Sequence, residues 1–176
     1  MSQIKLDTKT TNQTTIQPIS PHDFSSMIQA TTTKRPYNMD DRFLLQLLWE
    51  TGIQSHEILV LTRDCINTKN QFITIPVKSI RTLPLSKKCI QYFNAYMNTR
   101  KDSIQSLFIY NGRPVSRYII LDRIKKYCRE AHLPYMLTPK DFRNNYVLRL
   151  IQEKHSAFEI QKRLGCYNLQ ALMRFY

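Results

Sequence analysis

Apolar residues recur at helical spacing through residues 138–176. Thr138-Pro139 predicts a helix start, because proline suits the first turn, where its missing N–H is no loss. Ser156 followed by Glu159 is a capping box that begins a second helix, and Gly165 is placed to end it. The apolar positions of this predicted three-helix segment are Val147, Leu150 and Ile151, then Ala157, Ile160 and Leu164, and finally Leu169, Leu172, Met173 and Tyr176 after a cap at Asn168. The pattern predicts a helical C-terminal subdomain.

Similar signals divide the rest of the chain into helices and short strands. The predicted N-caps are Ser20, Asn38, Ser86 and Ser116. The predicted strands are 71–78, 82–85 and 107–110, the first two joined by a turn. We therefore expect an α+β, mainly helical fold over residues 18–176, a helical bundle with a small antiparallel sheet. Residues 1–17 are rich in Thr, Gln and Lys and show no period, which predicts a flexible tail.

The charge balance indicates which class of partner the protein binds. Lys and Arg number 26 against 13 Asp and Glu, a formal net charge of +13 with a pI near 9.8. Such a surplus favours nucleic acid as the partner, with an anionic membrane surface and an acidic protein as alternatives. No apolar run approaches the roughly 20 residues that span a bilayer, and no signal-peptide core is present. We expect a cytoplasmic, DNA-associated protein without a membrane partner.

Cysteine and histidine positions give no metal-binding pattern. The four cysteines, Cys65, Cys89, Cys128 and Cys166, lack Cys-x-x-Cys spacing, and the four histidines are scattered. This predicts reduced thiols, no metal and no cofactor.

Three short motifs carry a resemblance to a known family. They are Thr51-Gly-Ile-Gln54-Ser-His-Glu57, then Lys140-x-x-Arg143, and Leu164-Gly165-Cys166. Their order and surroundings resemble the catalytic domain of tyrosine recombinases, the phage integrase family. The resemblance implies a tyrosine that attacks a DNA phosphate without metal, leaving a 3′-phosphotyrosine, while two arginines and a hairpin lysine stabilise the transition state. The family's separate N-terminal clamp domain has no counterpart in this sequence.

The chain departs from that family at most of its catalytic positions. Gln54 stands where the family has its first arginine, and only Arg143, the second arginine, is kept. Lys140 and Cys166 replace the two histidines. The spacing of the family's nucleophile leads to Phe175, one residue before Tyr176. Tyr176 is therefore either a packing residue or a displaced nucleophile.

The resemblance and the basic helix together define the candidate DNA contacts. Lys78 matches the family's hairpin lysine, although a solvated turn lysine is the plain alternative. The candidate DNA-binding residues are Lys78, Arg81, Arg117, Arg123, Lys125, Lys126, Lys140 and Arg143. We expect Gln54, Lys78, Lys140 and Arg143 to converge on one basic concavity.

Two functions from different classes follow. The first is a double-stranded DNA-binding protein on a tyrosine recombinase scaffold that has lost strand transfer, acting alone, with other DNA-bound protomers, or in a mobile-element complex. The alternative is a divergent site-specific recombinase, relaxase or topoisomerase-like enzyme that forms a 3′-phosphotyrosine through Tyr176. A protein-interaction module with a basic surface is a third hypothesis.

Overall fold

The computed structural model describes residues 18–33, 38–77, 80–166 and Phe175. Three sequence predictions lie outside these residues: the tail 1–17, the position of Lys78, and the last helix with Tyr176. Within the described residues the helices are α1 Pro21–Ala30, α2 Met39–Thr51, α3 Ser55–Ile58, α4 Lys87–Thr99, α5 Arg117–Glu130, α6 Pro139–Gln152 and α7 Ala157–Leu164. The strands are β1 Ile66–Asn67, β2 Phe72–Ile75, β3 Arg81–Pro84, β4 Ile109–Tyr110 and β5 Arg113–Pro114.

Most helices begin where short polar side chains can cap them. The hydroxyl of Ser20 accepts a hydrogen bond from the N–H of Asp23 at 3.0 Å, and Ser86, Ser116 and Ser156 cap α4, α5 and α7 in the same way. Among the predicted N-caps Ser20, Asn38, Ser86 and Ser116, Asn38 differs, because its side chain makes no capping bond. Its amide instead donates to the hydroxyl of Tyr127 at 3.0 Å, which ties the start of α2 to α5.

The predicted strands belong to two small antiparallel sheets. In the first, the order is β1-β2-β3, with Ile73 opposite Leu83 and Ile75 opposite Arg81. The predicted first strand ends earlier than expected, before Pro76, whose missing N–H cannot join a ladder. In the second, β4 pairs with β5. Both β1 and β5 are too short to show a period in the sequence. The α+β, mainly helical class with a small antiparallel sheet is confirmed.

Helix α2 is the centre of the packing. Phe43, Leu44, Leu47 and Leu48 are at most 1% exposed, and α4 and α6 pack against this helix. An aromatic group surrounds Phe43, whose ring lies 5.4 Å from Phe93, 6.3 Å from Tyr96 and 5.3 Å from Phe108. A smaller cluster of Tyr146, Val147, Leu150, Ile160 and Leu164 fastens α7 to α6. The end of α7 is thereby fixed relative to the central helix.

Gly52 makes the turn between α2 and α3. Its φ is +56°, in the left-handed region, and it ends α2 through a bond from its N–H to the Leu48 carbonyl. A Cβ here would lie 2.7 Å from Cδ1 of Tyr146. The joint therefore needs glycine twice, for its backbone conformation and for the close approach of α6.

Gly52→Ala is expected to destabilise the fold more than Gly112→Ala. Both positions have a positive φ, which costs alanine about 1–2 kcal/mol, but Gly112 has open space around its Cα. The clash with Tyr146 adds roughly 1–3 kcal/mol at Gly52. Urea unfolding followed by circular dichroism measures both variants. Equal losses would show that α6 can move away at no cost.

Candidate functional site

A cavity of about 270 Å³ lies where α3, the first turn of α6 and the start of α5 meet. Its lining residues are Gln54, Ser55, His56, Arg117, Pro139, Lys140 and Arg143. We call this cavity the α3–α6 pocket. None of its seven lining residues is acidic and three are lysine or arginine, so its charge suits an anion.

Arg143 is held in place by two backbone carbonyls. Its Nη1 donates to the Gly52 carbonyl at 3.0 Å, and its Nη2 donates to the Leu164 carbonyl at 2.8 Å. These carbonyls end α2 and α7, so the guanidinium joins two helix ends that are far apart in sequence. These two bonds restrict the orientation of a guanidinium that lines the pocket.

Lys140 enters the pocket from the first turn of α6. Thr138 and Asp141 form the cap of this helix, since the Asp141 carboxylate accepts from the Thr138 N–H at 2.8 Å and from its hydroxyl at 2.6 Å. Pro139 occupies the first turn, as predicted. Lys140 itself is exposed. The α6 cap therefore places an exposed lysine in the same pocket as the guanidinium of Arg143.

Beneath the pocket, Glu57 and Arg81 form a buried ion pair. Their side chains are 3% and 4% exposed, and Arg81 Nη1 and Nη2 donate to the two Glu57 oxygens at 2.7 and 2.9 Å. Arg81 Nε also donates to the Arg163 carbonyl at 2.8 Å. Burial alone raises the pKa of Glu57, but the bonds from Arg81 and from the Gln54 N–H outweigh it and hold this pKa below its ordinary value. Glu57 is thus ionised and fixes the start of α3.

This pair bears on the prediction that Arg81 contacts DNA. Its side chain is 4% exposed and bonds Glu57 and the end of α7, so a phosphate contact would have to compete with the ion pair. The sequence showed a basic residue on a predicted strand but not the acid that faces it. Arg81 belongs to the support of the site rather than to its surface.

The basic residues of α5 do not act as one surface either. Arg117 is exposed and lines the pocket. Arg123 is 11% exposed and pairs with Asp40 at 2.8 Å and Asp41 at 3.1 Å on α2. A DNA contact at Arg123 stays a prediction, and it would have to compete with these two carboxylates. Lys125 and Lys126 are partly buried, and Lys126 donates to the Tyr127 hydroxyl at 3.3 Å.

Residues 17–176 match the phage integrase family. The chain belongs to this family. Among curated relatives, it is 28% identical over 134 residues to the tyrosine recombinase XerD of Staphylococcus haemolyticus and 29% identical over 134 residues to that of Staphylococcus epidermidis. Each alignment covers 71% of this chain and 45% of the relative. The chain thus spans about half the length of the curated relatives it matches.

Solved structures of integrase-family proteins share the fold. The XerA recombinase superposes with a TM-score of 0.81 at 16% identity, over 90% of this chain and 57% of that one. The Tn1549 transposon integrase, solved in complex with transposon right end DNA, gives a TM-score of 0.76 at 21% identity, over 97% of this chain and 64% of the other. These likenesses confirm the tyrosine recombinase catalytic-domain fold.

In this integrase-family domain three of the four expected positions come together. Gln54, Lys140 and Arg143 all line the α3–α6 pocket, as the resemblance implied. Lys78, the fourth, lies outside the described residues, as does Tyr176. Cys166 follows the turn at Gly165 and packs against the smaller cluster rather than lining the pocket. The described part of the site therefore keeps cations and lacks both histidines of the family motif.

His56 and Ser55 are pocket residues that the sequence reasoning missed. They follow Gln54 directly and line the same cavity. Their place in the sequence was the available signal. They are the first two residues of α3, and they lie between the candidate site residue Gln54 and the buried Glu57. The family motif drew attention to Gln54 alone.

The described residues contain no group of three or more His, Cys, Asp or Glu side chains that could hold a metal ion. Over the same ranges, no helix combines the length and the apolar character needed to cross a membrane.

Glu57→Gln is expected to lower the free energy of unfolding by about 3–5 kcal/mol, because it leaves the Arg81 charge buried without a partner. The depressed pKa of Glu57 means that its contribution is present above its unfolded-state pKa and lost as pH falls through the folded value. The difference between wild type and variant should therefore shrink below about pH 4. Urea unfolding across pH provides the measurement.

Two further variants make this test specific to the ion pair. Asp64→Asn removes an exposed carboxyl and should change stability by no more than about 0.5 kcal/mol. Adding Arg81→Met to Glu57→Gln should cost less than the sum of the single changes, since it removes the stranded charge. Additive losses would contradict a coupled pair.

Proposed function

We propose that this integrase-family domain binds the backbone of duplex DNA, with one phosphate in the α3–α6 pocket, and that it does not carry out strand transfer. The observation that carries the proposal is the guanidinium of Arg143, held by the Gly52 and Leu164 carbonyls at the wall of a pocket without acids. Its orientation is set before any ligand arrives.

A phosphodiester matches the chemistry of this pocket. Arg143 supplies planar N–H donors, while Lys140 and Arg117 add point charges from two other directions. The first turn of α6 also lies at the cavity, and a helix N-terminus favours an anion. The protein's formal net charge of +13 would attract a polyanion over longer distances. Phosphate contacts of this kind give affinity without sequence preference.

Relatives in the family support DNA as the polyanion. The Tn1549 integrase was solved with transposon right end DNA, and the XerH recombinase was solved bound to its difH substrate. XerH superposes with a TM-score of 0.76. We carry the DNA partner over to this chain as part of the proposal.

The described part of the pocket differs from the family at positions that act in strand transfer. Gln54 can donate a hydrogen bond, but it has no charge to offset a pentavalent phosphate. Losing a single stabilising donor costs about 10²–10³ in rate, and here Lys140 and Cys166 also replace the family's two histidines. Phe175, at the nucleophile spacing, has no hydroxyl and packs against the smaller cluster. Binding needs only charge and shape, so it tolerates these replacements.

Lys140→Gln is expected to weaken binding to unrelated duplexes equally and to reduce the log–log salt slope by about 0.9, one phosphate contact. Lys101→Gln is the matched control, because Lys101 is exposed but does not line the pocket. Fluorescence anisotropy from 50 to 300 mM salt, roughly the range over which phosphate contacts are screened, measures both. Identical slopes for the two variants would remove the pocket from the interface.

Arg143→Lys tests the fixed guanidinium and needs a stability control. The substitution keeps the charge but cannot reach two carbonyls in the same geometry, so it should weaken binding and lower the melting temperature together. Lys140→Gln should lower affinity without changing the melting temperature. A lower melting temperature in Arg143→Lys alone would separate the structural role of Arg143 from the contribution of positive charge to DNA binding.

No covalent protein–DNA adduct is expected when the protein is incubated with a nicked suicide duplex and then denatured. An adduct that forms with the wild type and disappears in Tyr176→Phe would replace this proposal with the alternative, a divergent recombinase that uses Tyr176. The companion variant restores Gln54→Arg, Lys140→His and Cys166→His together. Cleavage by that variant alone would show that only the phosphate-stabilising groups had been lost.

A further inference from the structure

His56 forms the part of the pocket wall that α3 supplies. Its side chain is exposed and lines the cavity together with Arg117 from α5 and with Lys140 and Arg143 from α6. Within the described part of the chain its imidazole makes no hydrogen bond or ion pair. The ring nitrogens are therefore available to a ligand.

The surroundings of His56 differ from those of two other histidines, His22 and His155, which lie near carboxylates. His155 lies 3.5 Å from Glu153 and 3.6 Å from Glu159, and His22 lies 3.8 Å from Asp23. A carboxylate can stabilise the protonated ring at those positions. The pocket around His56 contains no carboxylate, so only an anion from solution can do so there.

We propose that His56 is a phosphate-binding residue of the α3–α6 pocket and that it contacts the bound phosphodiester as an imidazolium. This inference rests on the proposed function and assigns a further residue to the same site. It places an imidazole in the pocket from α3, although the family's two histidine positions hold Lys140 and Cys166. The protonated ring donates one charge-assisted hydrogen bond and adds one positive charge.

Contact through an imidazolium is expected to make DNA binding depend on pH. Arginine keeps its charge at all relevant pH values, which covers Arg117 and Arg143, and lysine ordinarily titrates far above neutrality. Glu57, the next residue of α3, faces Arg81 and has a depressed pKa, so it stays ionised above pH 5. Histidine is the side chain whose ordinary titration falls between about pH 5 and 8. Binding that uses an imidazolium is therefore expected to tighten as pH falls through that range.

The test measures the dissociation constant for an arbitrary duplex at constant ionic strength, between about pH 5.5 and 8. Wild-type binding should tighten about tenfold towards the lower pH, the effect of one charge-assisted bond. In His56→Gln this pH dependence should be lost, and His56→Lys should bind tightly across the range. His22→Gln, which changes an exposed histidine outside the pocket, should keep the wild-type dependence.

The salt dependence gives a second, independent measurement. At the lower pH, His56→Gln should reduce the log–log salt slope by about 0.9, whereas at the higher pH it should leave the slope unchanged. If His56→Gln weakens binding equally at both pH values, His56 acts as a neutral hydrogen-bond donor. The proposed imidazolium contact would then be wrong.

The remaining outcomes separate this inference from the proposed function. Loss of affinity in Lys140→Gln, with the full pH dependence kept in His56→Gln, would overturn the role of His56 and leave DNA binding in the pocket intact. Failure of the wild type to bind duplex DNA at any pH would overturn both.

Discussion

Two arginines hold the beginning of α3 against the end of α7, and the candidate site depends on this connection. Arg81 pairs with Glu57 on α3 and donates to the carbonyl of Arg163. Arg143 donates to the carbonyls of Gly52 and Leu164. Segments that are distant in sequence thereby meet through two neighbouring sets of charge-assisted hydrogen bonds. The Arg81 guanidinium is neutralised by a carboxylate, whereas the Arg143 guanidinium bonds two carbonyls at the wall of the pocket.

Glycines at both ends of this connection allow the close approach. Gly52 turns the chain beside Tyr146, and a Cβ at Gly165 would lie 2.7 Å from Nη1 of Arg81. Both have a positive φ. The retained parts of the family motifs, Thr51-Gly52 with Glu57 and Leu164-Gly165, thus build the scaffold around the pocket. The replaced positions, Gln54, Lys140 and Cys166, are the ones that would act on a phosphate.

The count of 26 lysines and arginines overstates the number of cations at the surface. Arg81 and Arg123 are paired with acids, and Arg149 lies over Trp49 at 3.8 Å with its pKa lowered by burial. Arg100 is 3% exposed and donates to Asp102 and to the loop that follows α4. These arginines organise the interior and the helix joints. Surface electrostatics therefore rests on a smaller set of cations, of which Arg117, Lys140 and Arg143 meet at one cavity.

The amino-acid sequence by itself determined most of the described helices, their serine caps and the family. These signals are local: the Ser20 hydroxyl binds an N–H three residues later, and helical periodicity is set by neighbours one turn away. It also indicated, through the family motifs, that Gln54, Lys140 and Arg143 share a site. Only the tertiary structure decided which basic residues are free, since the partner of Arg81 lies 24 residues away and Arg123 meets acids on another helix. The same holds for His56, whose place in the pocket depends on α3, α5 and α6 coming together. A sequence does not show whether a basic side chain faces solvent or a carboxylate. Its partner is decided only when distant segments pack together.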